Sequence, residues 1–216
     1  SSWATEDNKH GQNKQVFIFA GGANNDSLYE QIKPHLSTVK EVYFAGGEPL
    51  LMDKHYEMLE HLVNIGNTDI KIRYNSNLSS LQYKNISVID YWKKFSNIHL
   101  NVSLDSWGER AEYIREGTNW TKVSENIKTV KDSCPHIHIG IASVISAFNV
   151  NTIPEFIEHL LINKLVDRNT TASFYCLINP NFYSFNVISQ ELKDSIVAKL
   201  SNRHYNSNVN SQIENV

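Results

Sequence analysis

Apolar residues recur along this chain in two rhythms, short runs and helical stripes. Val42-Tyr43-Phe44 is a short apolar run. Met58, Leu59, Leu62 and Val63 then recur at the spacing of one helix face. The pattern predicts a strand over 41–45 and an amphipathic helix over 53–65, with Gly66 as its C-cap. A short helix over 28–37 precedes them. Beyond Gly66 the rhythm predicts strands over 69–74, 98–104, 137–145 and 172–178. Helices are expected over 87–95, 120–131, 152–164 and 189–200, with Ser189 capping the last. A shorter one holds Tyr113 and Ile114. Between 98 and 104 apolar and polar residues alternate; Val123, Ile127 and Val130 form one stripe. Strands separated by helices of roughly 10–15 residues imply parallel βαβ units, about five of them. The expected class is α/β with a parallel sheet over 1–200. The Asn- and Ser-rich tail, 201–216, is a frayed end, a linker or the start of a second domain.

Composition narrows the function classes. The length of 216 residues suits one domain, or one plus part of another. A hydrophobic content of 41% is enough for a core. The net charge is -3 and the pI about 6.3. Acids and bases are interleaved without a basic stripe, which argues against duplex nucleic acid or an anionic membrane as partner. No apolar run approaches the roughly 20 residues that span a bilayer. The first residues, Ser1-Ser2-Trp3-Ala4-Thr5-Glu6-Asp7, have neither the basic nor the apolar region of a signal peptide. A cytoplasmic protein is expected. Cys134 and Cys176 are the only cysteines. Two distant thiols exclude a disulfide scaffold and by themselves hold neither zinc nor an iron–sulfur cluster.

Candidate chemistry gathers where strands end. Ala45-Gly46-Gly47-Glu48-Pro49 follows the strand at 41–45. Paired glycines allow positive φ and close approach to a ligand, and Pro49 suits a first helical turn. A Gly-Gly-Glu-Pro quartet arises by chance in only on the order of 0.3% of chains this long. The next strand ends in Asn75-Ser76-Asn77, and the one after in Ser103-Leu104-Asp105; Asn149 follows the strand at 137–145. In parallel barrels these ends converge on one rim, where ligands bind. One reading of the carboxylates Glu48 and Asp105 is an acid–base pair in a barrel hydrolase. His136 and His138 share one side of a strand, more simply a solvated face than a metal pair. Trp107 and Trp120 are expected to brace a loop and a helix.

Together these segments resemble the radical S-adenosylmethionine enzymes, and more narrowly those with a truncated SPASM (twitch) auxiliary domain. The matching stretches are Val42 through Leu51, Asn75-Ser76-Asn77, Val102-Ser103-Leu104-Asp105, and Ile114-Arg115-Glu116-Gly117-Thr118-Asn119-Trp120, followed by the pair Asn126-Ile127. Ile178-Asn179-Pro180 resembles the approach to the twitch half-domain. The resemblance implies a partial (β/α)6 TIM-like barrel, here lacking its first strand. It implies S-adenosyl-L-methionine and a 4Fe-4S cluster as cofactors, and reductive cleavage to a deoxyadenosyl radical. A peptide or small-molecule substrate and an electron donor such as flavodoxin or ferredoxin are the implied partners.

The same resemblance assigns roles by position. The backbone of Ala45, Gly46 and Gly47 meets the methionine ammonium, and Glu48 contacts it or orients the turn. Pro49 completes that turn. Asn75 and Asn77 line the floor. Ser103 and Asp105 bind ribose or carboxylate, and Arg115 pairs with the carboxylate. Val144 and Leu177 pack on adenine, and Asn149 hydrogen-bonds it. The family's C-x-x-x-C-x-x-C loop does not occur in these residues. Ser1-Ser2-Trp3 resembles the segment that follows that loop, so the expectation is a chain that starts just after it. The other expectation is a non-catalytic, degenerate barrel that binds a ligand or partner without a cluster.

Overall fold

The computed structural model describes residues 25–201. Helix α1 (Asn25–Ile32) leads through a 3-10 turn (Lys33–His35) into strand β1 (Glu41–Phe44). Helix α2 (Asp53–Asn64) and strand β2 (Lys71–Ser76) follow. A small hairpin, β3 (Gln82–Tyr83) and β4 (Ile86–Ser87), precedes helix α3 (Val88–Trp92). Then come β5 (Asn97–Ser103), α4 (Gly108–Ile114), α5 (Trp120–Ser133), β6 (His138–Ile145), α6 (Ile153–Ile162), β7 (Ala172–Cys176) and α7 (Gln190–Ser201).

Five strands form one sheet in the order β1-β2-β5-β6-β7, and every neighbouring pair is parallel. Each strand adds to the same edge as its predecessor. With right-handed crossovers, that constant direction puts the connecting helices on one face, as in a barrel. A doubly wound sheet reverses direction and covers both faces. The arrangement is the arc of a parallel barrel, the class the sequence implies.

The outer face is the core. Ile72, Tyr74, Ile98, Leu100 and Val102 are all 0% exposed. Packed with them are Met58, Leu59 and Leu62 of α2, Trp92 of α3, the α5 stripe Val123, Ile127 and Val130, and Phe156 and Leu160 of α6. Each fully buried aliphatic side chain contributes about 1.5–3 kcal/mol. The inner face differs in kind. Lys71, Arg73, Asn75, His99, Asn101 and Ser103 are half-buried there, and Glu41, Tyr43 and His138 are exposed. Parallel strands covered on both faces read as continuous apolar runs. The alternation along β5 marks one face left open.

Three local differences from the sequence pattern matter. The strand expected over 69–74 lies two residues later, which brings Asn75 and Ser76 inside it on opposite faces. The loop after it carries the hairpin, whose turn residues Lys84 and Asn85 have φ of +47° and +63°. Paired positive φ is the geometry of a two-residue hairpin turn, and Lys84 gives no sequence signal for it. The helix expected over 87–95 is only five residues long and closes with Lys94 N–H donating to the Tyr91 carbonyl. The opening segment Ser1-Ser2-Trp3, the expectation of a missing first strand and the tail beyond 201 all fall outside the described residues. No helix among the described residues is long and apolar enough to cross a membrane.

Candidate functional site

The rim begins at the end of β1. Gly46 and Gly47 take φ of +85° and +61°. A Cβ built on either meets no atom within 4 Å, so it is the backbone conformation, not lack of room, that selects glycine. Ala45, Gly46 and Gly47 are exposed. Pro49 and Leu50 are buried and open a 3-10 turn, Pro49–Leu51, ahead of α2.

Glu48 holds this turn against the next strand. Its Oε1 accepts from the Ser76 hydroxyl at 2.7 Å and from Leu50 N–H at 3.3 Å. Its Oε2 accepts from Asn77 N–H at 2.8 Å. Ser76 is 1% exposed and also accepts from Leu78 N–H at 2.9 Å. Asn126 of α5 donates to the Leu78 carbonyl at 2.8 Å, tying the helix to this loop. Glu48 thus orients the turn. The Asn77 side chain accepts from Ser79 N–H, and Asn75 reaches the inner face, where it donates to the Tyr43 hydroxyl at 2.7 Å.

Across the rim, Asp105 is 5% exposed. Its Oδ2 accepts from Arg115 Nε at 2.6 Å, and its Oδ1 from Arg115 Nη2 at 3.2 Å and Val144 N–H at 2.6 Å. A bidentate guanidinium–carboxylate pair of this kind fixes orientation as well as charge. Asp105 therefore positions Arg115. Nη1 of Arg115 takes no part in the pair, and the side chain is 33% exposed. Asn149 is 1% exposed. Its amide nitrogen donates to the carbonyls of Asp105 and Val144, each at 2.8 Å, and its oxygen accepts from Ser146 N–H at 2.8 Å. With these groups engaged inside the chain, Asn149 clasps β5 to β6. Glu48 and Asp105 are likewise hydrogen-bonded within the chain.

A cavity of about 380 Å³ opens above Asp105. Val144 and Leu177 line it, with Tyr113, Phe148 and Tyr183. The Phe148 ring lies 5.8 Å from Tyr113 and 5.1 Å from Tyr183, centroid to centroid. These aromatics sit on loops and a helix end, where no periodicity flags them. Trp107 and Trp120 both pack on His159, at 5.3 and 5.6 Å, as expected of braces.

A model of the Radical SAM superfamily matches residues 23–160. The chain belongs to the radical SAM superfamily. Among solved structures, anSMEcpe with bound AdoMet aligns at TM-score 0.53 and 17% identity, over 73% of this chain and 44% of that one. SuiB of Streptococcus suis, bound to S-adenosylmethionine, aligns at 0.53 and 16%, over 88% and 42%. TYW1 with a lysine-pyruvate adduct aligns at 0.50 and 13%, over 89% and 67%. At such identities the shared property is the fold. The chain spans less than half the length of the first two. No curated protein matches it by sequence.

Radical SAM proteins use S-adenosylmethionine and a 4Fe-4S cluster. The rim fits the first: an exposed glycine turn, a part-exposed guanidinium and an aromatic-walled cavity lie along one edge of the sheet. The residues do not fit the second. Cys134 is buried at the end of α5, Cys176 is exposed at the end of β7, and no group of three metal-ligating side chains occurs among the described residues. Cluster thiolates are not supplied by these 216 residues.

Proposed function

We propose that this chain is the S-adenosylmethionine-binding part of a radical SAM enzyme whose cluster ligands come from outside these 216 residues. The observation that carries the reading is the glycine turn, pinned by Glu48 to the end of β2, with the Asp105–Arg115 pair after β5 on the same edge of the sheet. The exposed backbone of Gly46 and Gly47 receives the methionine ammonium, with the Glu48 charge behind it. Arg115, oriented by Asp105, receives the methionine carboxylate through Nη1; a guanidinium suits that role better than an ammonium would. Val144 and Leu177 form the apolar bed of the adenine, and Tyr113 and Phe148 its wall. When bound, the cofactor supplies one-electron chemistry: cleaved reductively, it removes a hydrogen atom from a peptide or small molecule. The electron comes from a flavodoxin- or ferredoxin-like donor.

Equilibrium dialysis with labelled S-adenosylmethionine tests the reading. Binding should be measurable without iron and should fall about tenfold in Arg115→Gln, the loss of one charge-assisted contact. Unchanged binding in Arg115→Gln would remove Arg115 from the site. A second reading, a degenerate barrel that binds without a cluster, is favoured by the wide separation of the two cysteines. Anaerobic reconstitution with iron and sulfide tests what both readings share, that this chain by itself holds no cluster. A stoichiometric cluster formed on this chain alone would overturn the external-ligand claim.

A further inference from the structure

Below the rim, polar side chains cross the open face of the sheet in rows. Strand register sets Tyr43 beside Arg73, Arg73 beside His99, and His99 beside His138. One pleat nearer the rim, Asn75 stands beside Asn101. The rows are organised by contacts. The Arg73 guanidinium lies 4.7 Å from the Tyr43 ring centroid and donates to Glu41 at 3.1 Å. Asn101 donates to Asn75 at 3.2 Å. The His99 and His138 rings lie 4.9 Å apart, tilted by 33°. Gly140 makes room for Asn101: a Cβ there would fall 2.5 Å from Asn101 Oδ1 and 3.2 Å from the Thr171 carbonyl.

The charges on this face are unequal. Among the described residues, Lys71 and Arg73 share the carboxylate Glu41 at 3.9 and 3.1 Å, two cations to one anion, with His99 and His138 beyond Arg73. Burial, then His138, Lys71 and Arg73, hold His99 below the usual imidazole range. Such surroundings repel a metal cation, and the histidine pair has no third ligand among the described residues. They favour an anion. A guanidinium beside two imidazoles offers planar N–H donors that match a carboxylate or phosphate.

We infer that the Arg73–His99–His138 row is a subsite for an oxyanion carried by the substrate, with Asn75 and Asn101 hydrogen-bonding the portion that leads up to the rim. The inference rests on reading the rim as the S-adenosylmethionine site. It also sizes the substrate. His99 and Ser103 lie four residues apart on β5, about 13 Å at roughly 3.3 Å per residue. A molecule anchored at one end and reacting at the other has the length of a mononucleotide or a short acidic peptide.

The test uses histidine-ring NMR on the whole chain. Glycerol phosphate and glutarate are titrated separately, and the stronger binder tells phosphate from carboxylate. The His99 and His138 resonances should move saturably, with a Kd on the order of 1 mM. Arg73→Gln should weaken this about tenfold, the loss of one charge-assisted pair. His138→Gln, at an exposed position that the fold tolerates, should weaken it as well. Dialysis of S-adenosylmethionine on the same variants should be unchanged. Rings that stay unmoved by both probes, or variants that bind the anion as tightly as the parent, overturn the subsite. Failure of the parent to bind S-adenosylmethionine, with anion binding intact, would instead overturn the rim reading.

Discussion

The two ends of the rim use the same device with different electrical results. At each, a carboxylate that follows a strand accepts a backbone N–H from the end of the next strand. Glu48 after β1 takes Asn77 N–H, and Asp105 after β5 takes Val144 N–H. Among the described residues, Glu48 is otherwise met by neutral donors, Ser76 and Leu50, with no cation paired to it. Asp105 is met by a guanidinium, so that end presents a part-exposed cation. One edge of the sheet thus runs from a carboxylate met by neutral donors to an ion pair whose guanidinium is part-exposed. Under the proposed reading, the ammonium of the methionine moiety lies at the Glu48 end and its carboxylate at Arg115.

The largest expected effect comes from removing the second carboxylate. Asp105→Ala leaves Arg115 and Val144 N–H without their acceptor, and should cost about 2–4 kcal/mol in urea unfolding. Asp105→Asn should cost less, because its oxygen still accepts. A loss below about 0.5 kcal/mol in the alanine variant would show that the clasp is not structural.

Acid should weaken the fold through a histidine packed near the first end. His55 is buried beneath the glycine turn, against Phe44, Tyr56 and Tyr74, with Nε2 at 2.9 Å from the Tyr74 hydroxyl. Burial lowers its pKa from 6.5 to about 3. The unfolded chain therefore takes up a proton below the ordinary value while the folded chain resists. The stabilising contribution is complete above pH 6.5 and is lost as pH falls toward about 3. Near pH 5 the loss should be about 2 kcal/mol, at roughly 1.4 kcal/mol per unit. His55→Phe should flatten that part of the stability profile. An unaltered slope would assign the acid sensitivity elsewhere.

Glu48→Gln asks whether the charge itself is used. The amide oxygen keeps some of the acceptor geometry, so unfolding should shift by only about 1 kcal/mol. S-Adenosylmethionine affinity should nevertheless fall about tenfold, or about 1.4 kcal/mol. Equal affinity would reduce Glu48 to a strut. The smallest effect is expected from Gly47→Ala, which adds a Cβ into open space at φ of +61°. It should cost about 1 kcal/mol of stability through backbone strain alone, read as a small fall in melting temperature.

The parts of this site visible in the sequence are those that act through backbone. Gly46, Gly47 and Pro49 announce a turn because few other residues suit it, and the helical stripe of α5 announces its buried face. Asp105 and Arg115 were visible as residues but not as partners, because α4 must first turn the chain back. Asn149 reads as a ligand-type amide at a strand end, yet three backbone groups saturate it. Ser76 reads as loop until the strand is placed two residues later. The row of Arg73, His99 and His138 depends on register, and a slip of one residue would send each side chain to the other face. No spacing within a single segment encodes that.

The strand order has a further meaning in time. In β1-β2-β5-β6-β7, every strand's partner in the main sheet is the one completed before it. During synthesis, each strand leaving the ribosome can find its neighbour already laid down, and none waits for a later segment to be inserted between existing partners.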